Sequence, residues 1–113
     1  MHEMSLTESL VQMIEEEGAR QGFTKVSVVR LKIGALSHVE PDAMRFCFDA
    51  VARGAIVEGA RLEIELTPGQ AWCMDCGKSA EVKERFATCP HCGGVRLQVT
   101  GGDEMRLAEL EVV

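Results

Sequence analysis

The sequence predicts an α+β fold: two helices packed on a small mixed three-stranded sheet, with a cysteine module inserted between strands. Three observations carry it. Apolar residues recur at helical spacing near the start and again after Pro41. Strand alternation runs through 25–33, 61–67 and 105–112. Between the last two of those strands, four cysteines fall in two Cys-x-x-Cys pairs, the pattern of a zinc ribbon.

The first helix is expected from about Met4 to Gln21. Ser5 and Glu8 form a capping box ahead of Leu6, Leu10, Met13 and Ile14. Glu15, Glu16 and Glu17 read as a solvated face, and Gly22 as the stop. Gly18 should weaken the last turn by about 1 kcal/mol relative to alanine. Lys25 to Ile33 is rich in β-branched residues and alternates through Val29, Leu31 and Ile33. Val26 and Val28 share the other parity, so a bulge or burial of both faces is expected. After a connection over 34–39, Pro41 suits the first turn of a second helix. Its stripe is Met44, Phe48 and Val51, and its stop is Gly54. Arg61 to Thr67 alternates through Leu62, Ile64 and Leu66.

Pro68 and Gly69 mark a boundary. Little apolar periodicity follows until Val95, Leu97 and Val99, where alternation resumes. Gly101-Gly102-Asp103 then turns the chain into a last strand, Met105 to Val112. The expected organisation is an α+β domain made of 1–68 and 101–113, with 69–100 as an inserted zinc-ribbon domain.

Composition removes several classes of function. With 113 residues, a net charge of -6, one Trp and no Tyr, the chain offers neither a basic footprint nor a stacking surface for nucleic acid. No apolar run approaches the roughly 18–20 residues that span a bilayer, and MHEMSLTESL lacks the basic and apolar regions of a secretory signal. A cytoplasmic protein is expected. In that compartment five cysteines point to metal or thiol chemistry rather than disulfides.

Cys73, Cys76, Cys89 and Cys92 read as CMDC, twelve residues, then CPHC. Each pair can form a knuckle aiming two sulfurs at one ion, and two knuckles give the tetrahedral thiolate set that Zn²⁺ accepts at about 2.3 Å per bond. Gly77, Gly93 and Gly94 follow the pairs, and Pro90 presets a turn within the second. Four thiolates leave no open position, so the zinc is expected to be structural. A thioredoxin-like role would want one pair in a different context. His91 lies between two ligands and is either solvent-exposed or an alternative ligand. Cys47, on the stripe of the second helix, reads as a small buried apolar residue; His38 reads as a loop residue with an auxiliary metal role as the alternative.

The chain starts Met1-His2-Glu3. Histidine is too large to permit removal of the initiator, so the expected terminus is a free α-amine one residue before an imidazole. Amine, imidazole and the intervening amide can wrap a metal in fused rings, with a further nitrogen or the Glu3 region completing a plane. Planar nitrogen donation suits Ni²⁺ or Cu²⁺. Such a site competes with protons at ordinary pKa values of about 7.7–8.0 and 6.5. Taken alone, a histidine at position two is more often only an exposed side chain.

MHEMSL, LKIGALSHVEPDAMRFCFDAV, AWCMDCG and CPHCGG, in that order, resemble the HypA/HybF family of hydrogenase maturation proteins over essentially the whole chain. Two knuckles alone are common to many zinc ribbons; their combination with this start and this middle segment is specific. The resemblance implies a nickel metallochaperone and not an enzyme. Its nickel motif falls on Met1, His2 and Glu3, with His2 supplying the essential imidazole, and its structural zinc falls on Cys73, Cys76, Cys89 and Cys92. It also implies delivery with a HypB-type GTPase to the large subunit of [NiFe]-hydrogenase, and in some organisms to urease. A monomer or weak homodimer is expected, with no nucleic acid and no membrane among its partners.

Two rivals are weaker. A nucleic-acid-binding or regulatory zinc ribbon would use Lys78, Lys83, Arg85 and Arg96, but Asp75, Glu81 and Glu84 interleave with them. A metal-dependent hydrolase would need an open metal site with a carboxylate or histidine base, and no such constellation is present in the sequence.

Overall fold

A computed structural model describes residues 2–113 of the chain. Its elements are α1 (Glu3–Gln21), β1 (Val26–Gly34), α2 (Pro41–Val51), β2 (Arg61–Thr67), β3 (Gly69–Cys73), β4 (Ser79–Val82), β5 (Leu97–Gly101) and β6 (Met105–Val112). The strands form two three-stranded sheets, β2-β1-β6 and β4-β3-β5. Two compact units result: the first takes residues up to Lys32, Val39–Glu65 and Arg106–Val113, the second Ile33–His38 and Leu66–Met105.

In the first unit the core is drawn from Leu10, Val11 and Ile14 of α1, Met44, Cys47 and Phe48 of α2, and Val26, Val28, Val29 and Leu31 of β1. The buried parity of β1 changes along its length, from Val26 and Val28 to Val29, Leu31 and Ile33, with Ser27 exposed and Arg30 and Lys32 half-buried. The sheet is mixed. Val113 N–H reaches Lys25 C=O while Ser27 Oγ reaches Glu111 C=O, so β6 descends as β1 rises. Val26 N–H meets Ile56 C=O and Arg30 meets Glu63 further on, so β2 rises with β1 across the α2 connection.

α1 begins at Glu3, ahead of the expected capping box, with His2 at the N-cap position and no side-chain cap. Its C-terminus follows expectation: Gly22 takes φ 84° and returns its N–H to Gly18 C=O. Gly18 itself has a reason that helix propensity does not show. A Cβ there would lie 2.7 Å from Ile56 Cδ1 and 2.8 Å from Phe23 C=O, so close packing offsets the propensity cost. α2 opens with Pro41 in its first turn and ends at Val51, a turn ahead of Gly54.

On the open face of β1, Arg30 is shared by Glu63 at 2.8 Å, Glu109 at 2.7 Å and Glu111 at 2.5 Å. These bonds raise the guanidinium further above its already high range, and Arg30 followed by Arg61 holds the Glu63 carboxyl below the usual carboxylate range. A carboxylate lowered in the folded state stabilises it fully above its ordinary pKa of about 4.3 and loses that effect as pH falls through the lowered value. Urea midpoints of the first unit should therefore be flat from pH 8 to 5.5 and decline below about 4.5, and Arg30→Met should blunt the decline. An equal decline in wild type and variant would exclude this network as its source.

In the second unit β3 is central. It pairs antiparallel with β4 (Gly69↔Val82 to Trp72↔Ser79) and with β5 (Ala71↔Val99, Cys73↔Leu97), with a register irregularity between Gln70 and Ala71. Leu36, Ala71 and Val82 form a small core edged by Ala87, Leu97 and Val99. Strands β3 and β4 fall where the sequence showed little periodicity. They are five and four residues long, too short for alternation to stand out.

Candidate metal centre

The second unit presents its cysteines from two turns built alike. In the first, Gly77 N–H bonds Cys73 C=O at 2.9 Å and Cys73 N–H bonds Lys78 C=O at 2.9 Å. In the second, Gly93 N–H bonds Cys89 C=O at 2.8 Å and Cys89 N–H bonds Gly94 C=O at 2.8 Å. Each turn is closed by a glycine in the left-handed region, Gly77 at φ 68° and Gly93 at φ 74°. Side chains with a Cβ resist that conformation by about 1–2 kcal/mol, which is why glycine stands at the same offset in both.

The two turns bring the four sulfurs within 4.8 Å of one another. Cys73 Sγ lies 3.7 Å from Cys92 Sγ, and Cys76 Sγ lies 3.8 Å from Cys89 Sγ, far beyond a disulfide bond. Four sulfurs at about 2.3 Å from one Zn²⁺ in tetrahedral array stand about 3.8 Å apart. The donor set and its spacing therefore fit a closed zinc site. Amides from the turns point at the sulfurs as well: His91 N–H to Cys89 Sγ at 3.4 Å, Gly94 N–H to Cys92 Sγ at 3.3 Å.

Without a cation these thiols interfere with each other. Burial, then the neighbouring sulfurs of Cys73, Cys89 and Cys92, pushes Cys76 up to about 12. Burial works to raise Cys89 too, but the amides of Cys92 and His91 outweigh it and bring that thiol down to about 6. One thiolate forms readily and opposes the next. A divalent ion reverses that sign and lets all four ionise.

Asp75, inside the first turn, accepts from Arg96 Nε and Nη2 at 2.7 Å, while Met74 N–H bonds Arg96 C=O at 2.9 Å. The Trp72 ring lies 3.9 Å from where a Gly77 Cβ would stand. Among the described residues His91 is outside the sulfur cluster, its Nε2 within 3.3 Å of Ser79 C=O. His38 is an exposed loop residue at φ 62° and joins no metal-binding group among the described residues. Cys47 is buried in α2, as its stripe implied.

At the other end of the chain, Met1 lies outside the described residues. His2 is exposed, and its C=O accepts from Leu6 N–H at 3.0 Å. The Glu3 carboxylate accepts from Glu40 N–H at 3.1 Å, a bond that holds its pKa below the ordinary value. Glu40, and Thr7, whose hydroxyl donates to Glu3 C=O, could not be read from the sequence, because each acts through a backbone group rather than by motif.

The family model for HypA, described as hydrogenase/urease nickel incorporation, metallochaperone, matches residues 1–112. The chain belongs to the HypA family. Hydrogenase maturation factor HypA 2 of Bradyrhizobium diazoefficiens is 60% identical over 112 residues, covering 99% of each chain. HypA of Methylocella silvestris is 54% identical over the same span and coverage. The solution structure of the Ni metallochaperone HypA from Helicobacter pylori shares the fold at a TM-score of 0.73 and 27% identity, over 100% of this chain and 98% of that one. The two helices, the two small three-stranded sheets and the four-cysteine cluster described above are those of a HypA-family chain.

Proposed function

We propose that the chain captures Ni²⁺ at Met1, His2 and Glu3 and hands it on for maturation of [NiFe]-hydrogenase, with urease as a second destination, while Cys73, Cys76, Cys89 and Cys92 hold a structural Zn²⁺. The observation that carries the reading is the match to HypA over residues 1–112 together with a sulfur cluster of zinc dimensions. The chain acts as a carrier and not as an enzyme, in the cytoplasm, as a monomer or weak homodimer. Its partners are a HypB-type GTPase and the hydrogenase large subunit.

Three features support a terminal nickel site. His2 is exposed and precedes a helix, so an incoming ligand can displace donors one at a time. The first-turn amides have no intrahelical acceptor, so metal bonding at the His2 or Glu3 nitrogen sacrifices no helical hydrogen bond. A deprotonated amide also carries negative charge, which a helix N-terminus favours. Bound zinc, by contrast, cross-links two turns with four thiolates and supplies no open position.

The test is metal content and nickel titration of the untagged chain beside His2→Ala. Wild type should carry one zinc and bind one further nickel, and the variant should keep the zinc and lose nickel binding by at least about a hundredfold. Equal nickel binding by both would remove the terminal site.

A further inference from the structure

α1 is complete from Glu3 although no side chain caps it. Uncapped first turns fray, because their N–H groups lack partners and few contacts hold them. Two contacts hold this first turn, although neither reaches its free N–H groups. Glu40, at the head of α2, gives its N–H to the Glu3 carboxylate at 3.1 Å. Thr7 gives its hydroxyl proton to Glu3 C=O at 2.7 Å.

Thr7 is the one buried polar side chain among the described residues, with no exposed surface. Met44 Sδ on α2 lies 3.5 Å from its hydroxyl oxygen, so the group is enclosed between the helices and cannot turn to water. Stability alone does not explain a hydroxyl here. Glu3 C=O stands one helical repeat before Thr7 N–H, which satisfies it as part of the ordinary ladder. Valine would fill the same volume without the desolvation cost of an enclosed hydroxyl. What the hydroxyl adds is a second bond on the carbonyl of Glu3, one residue beyond the imidazole of the nickel motif.

We propose that Thr7 is a positioning residue for nickel capture: through Glu3 C=O, its buried hydroxyl fixes the peptide planes around Glu3 and holds the His2–Glu3 segment in one arrangement instead of a frayed set. This rests on the terminal nickel reading. A ligand that binds only the ordered arrangement has its apparent affinity reduced by the fraction of molecules that lack it. Thr7 therefore acts on nickel through population and geometry, without touching the metal.

The experiment titrates nickel into the full, untagged, zinc-loaded chain as wild type, Thr7→Val, Thr7→Ser and His2→Ala. It records affinity, the ligand-field absorption of the bound nickel, zinc content and thermal midpoint. Thr7→Val should bind nickel about fivefold more weakly, the factor one ordinary hydrogen bond is worth, with a shifted or broadened nickel band and unchanged zinc. Thr7→Ser, which keeps the hydroxyl, should restore affinity and band. If valine packs poorly, Thr7→Ala takes its place, and serine must still rescue. Wild-type affinity and spectrum in Thr7→Val, with nickel lost in His2→Ala, would overturn the role of Thr7 and leave the terminal site standing. Failure of serine to rescue would reduce Thr7 to packing and overturn it equally. Unchanged nickel binding in His2→Ala would overturn the terminal site itself, and the inference with it.

Discussion

Cys73→Ala is expected to lose zinc and unfold the second unit while the first stays folded. The second unit has little else to hold it. Its apolar cluster is Leu36, Ala71 and Val82, with Ala87, Leu97 and Val99 at the edge, and among the described residues only Ile33 and Ala80 add buried apolar side chains besides the cysteines. Fully burying a leucine or valine side chain is worth about 1.5–3 kcal/mol. Ordering the backbone costs about 1–2 kcal/mol for every residue, so this core falls far short of its own unit. Structural zinc contributes about 10–16 kcal/mol in small zinc modules, as much as the whole of that core can supply. Removing one ligand leaves three sulfurs, too few to close the tetrahedral site, with the first turn held by Cys76 alone.

Hydrogen exchange followed by mass spectrometry separates the two units. In Cys73→Ala, or in wild type treated with a strong chelator, amides of β3, β4 and β5 should exchange within minutes, while α1 and β1 stay protected. Zinc content should fall from about one per chain to near zero. Cys47→Ala, outside the cluster, should retain both zinc and protection. Continued protection of β3 in zinc-free protein would mean that the small core suffices, and the zinc would then need a different role.

How far the sequence reveals this molecule depends on the range of the interaction. Helix spacing, the Arg61–Thr67 and Met105–Val112 alternations and the paired cysteines are local patterns, and the structure has those elements where the patterns lie. The sulfur cluster was legible for the same reason: Cys-x-x-Cys is a property of four consecutive residues, and each turn is closed by a glycine just beyond it. The capping box misled because Ser5-x-x-Glu8 is also local, whereas α1 starts at Glu3, whose carboxylate is held by Glu40, 37 residues away in sequence. Strands β3 and β4 owe their existence to pairing with each other and with β5 rather than to their own alternation. Gly18 looked like a weakness because propensity counts only the helix, and its reason sits on Phe23 and Ile56.

Glycine at position 34 is the clearest case of such a hidden requirement, and Gly34→Ala is expected to destabilise the second unit by about 3–5 kcal/mol. A Cβ on Gly34 would lie 2.1 Å from the carbonyl oxygen of Gly102 and 2.3 Å from its carbonyl carbon. Both are backbone atoms, so no rotamer change relieves the clash. Gly102 cannot retreat easily, since its own Cβ position is 2.1 Å from Pro68 C=O and its φ is 75°. Three chain segments therefore meet backbone to backbone, laced by Leu36 N–H to Gly102 C=O at 2.8 Å, Ala35 N–H to Thr67 C=O at 2.9 Å and Gly34 N–H to Glu104 C=O at 3.0 Å. Moving any one of them to admit a methyl group breaks bonds worth about 1 kcal/mol each, on top of the overpacking itself. Gly59→Ala is the control: at φ 77° with nothing within 4 Å of its Cβ position, it should cost only about 1–2 kcal/mol, from backbone conformation alone. During urea unfolding of the zinc-loaded protein, Trp72, the one tryptophan of the chain, lies in β3 and reports the second unit by fluorescence, while the helical circular dichroism of α1 and α2 reports the first unit, where Gly59 lies. A Gly34→Ala loss no larger than that of Gly59→Ala would show that the three segments can part, and that their close approach is not what keeps alanine out.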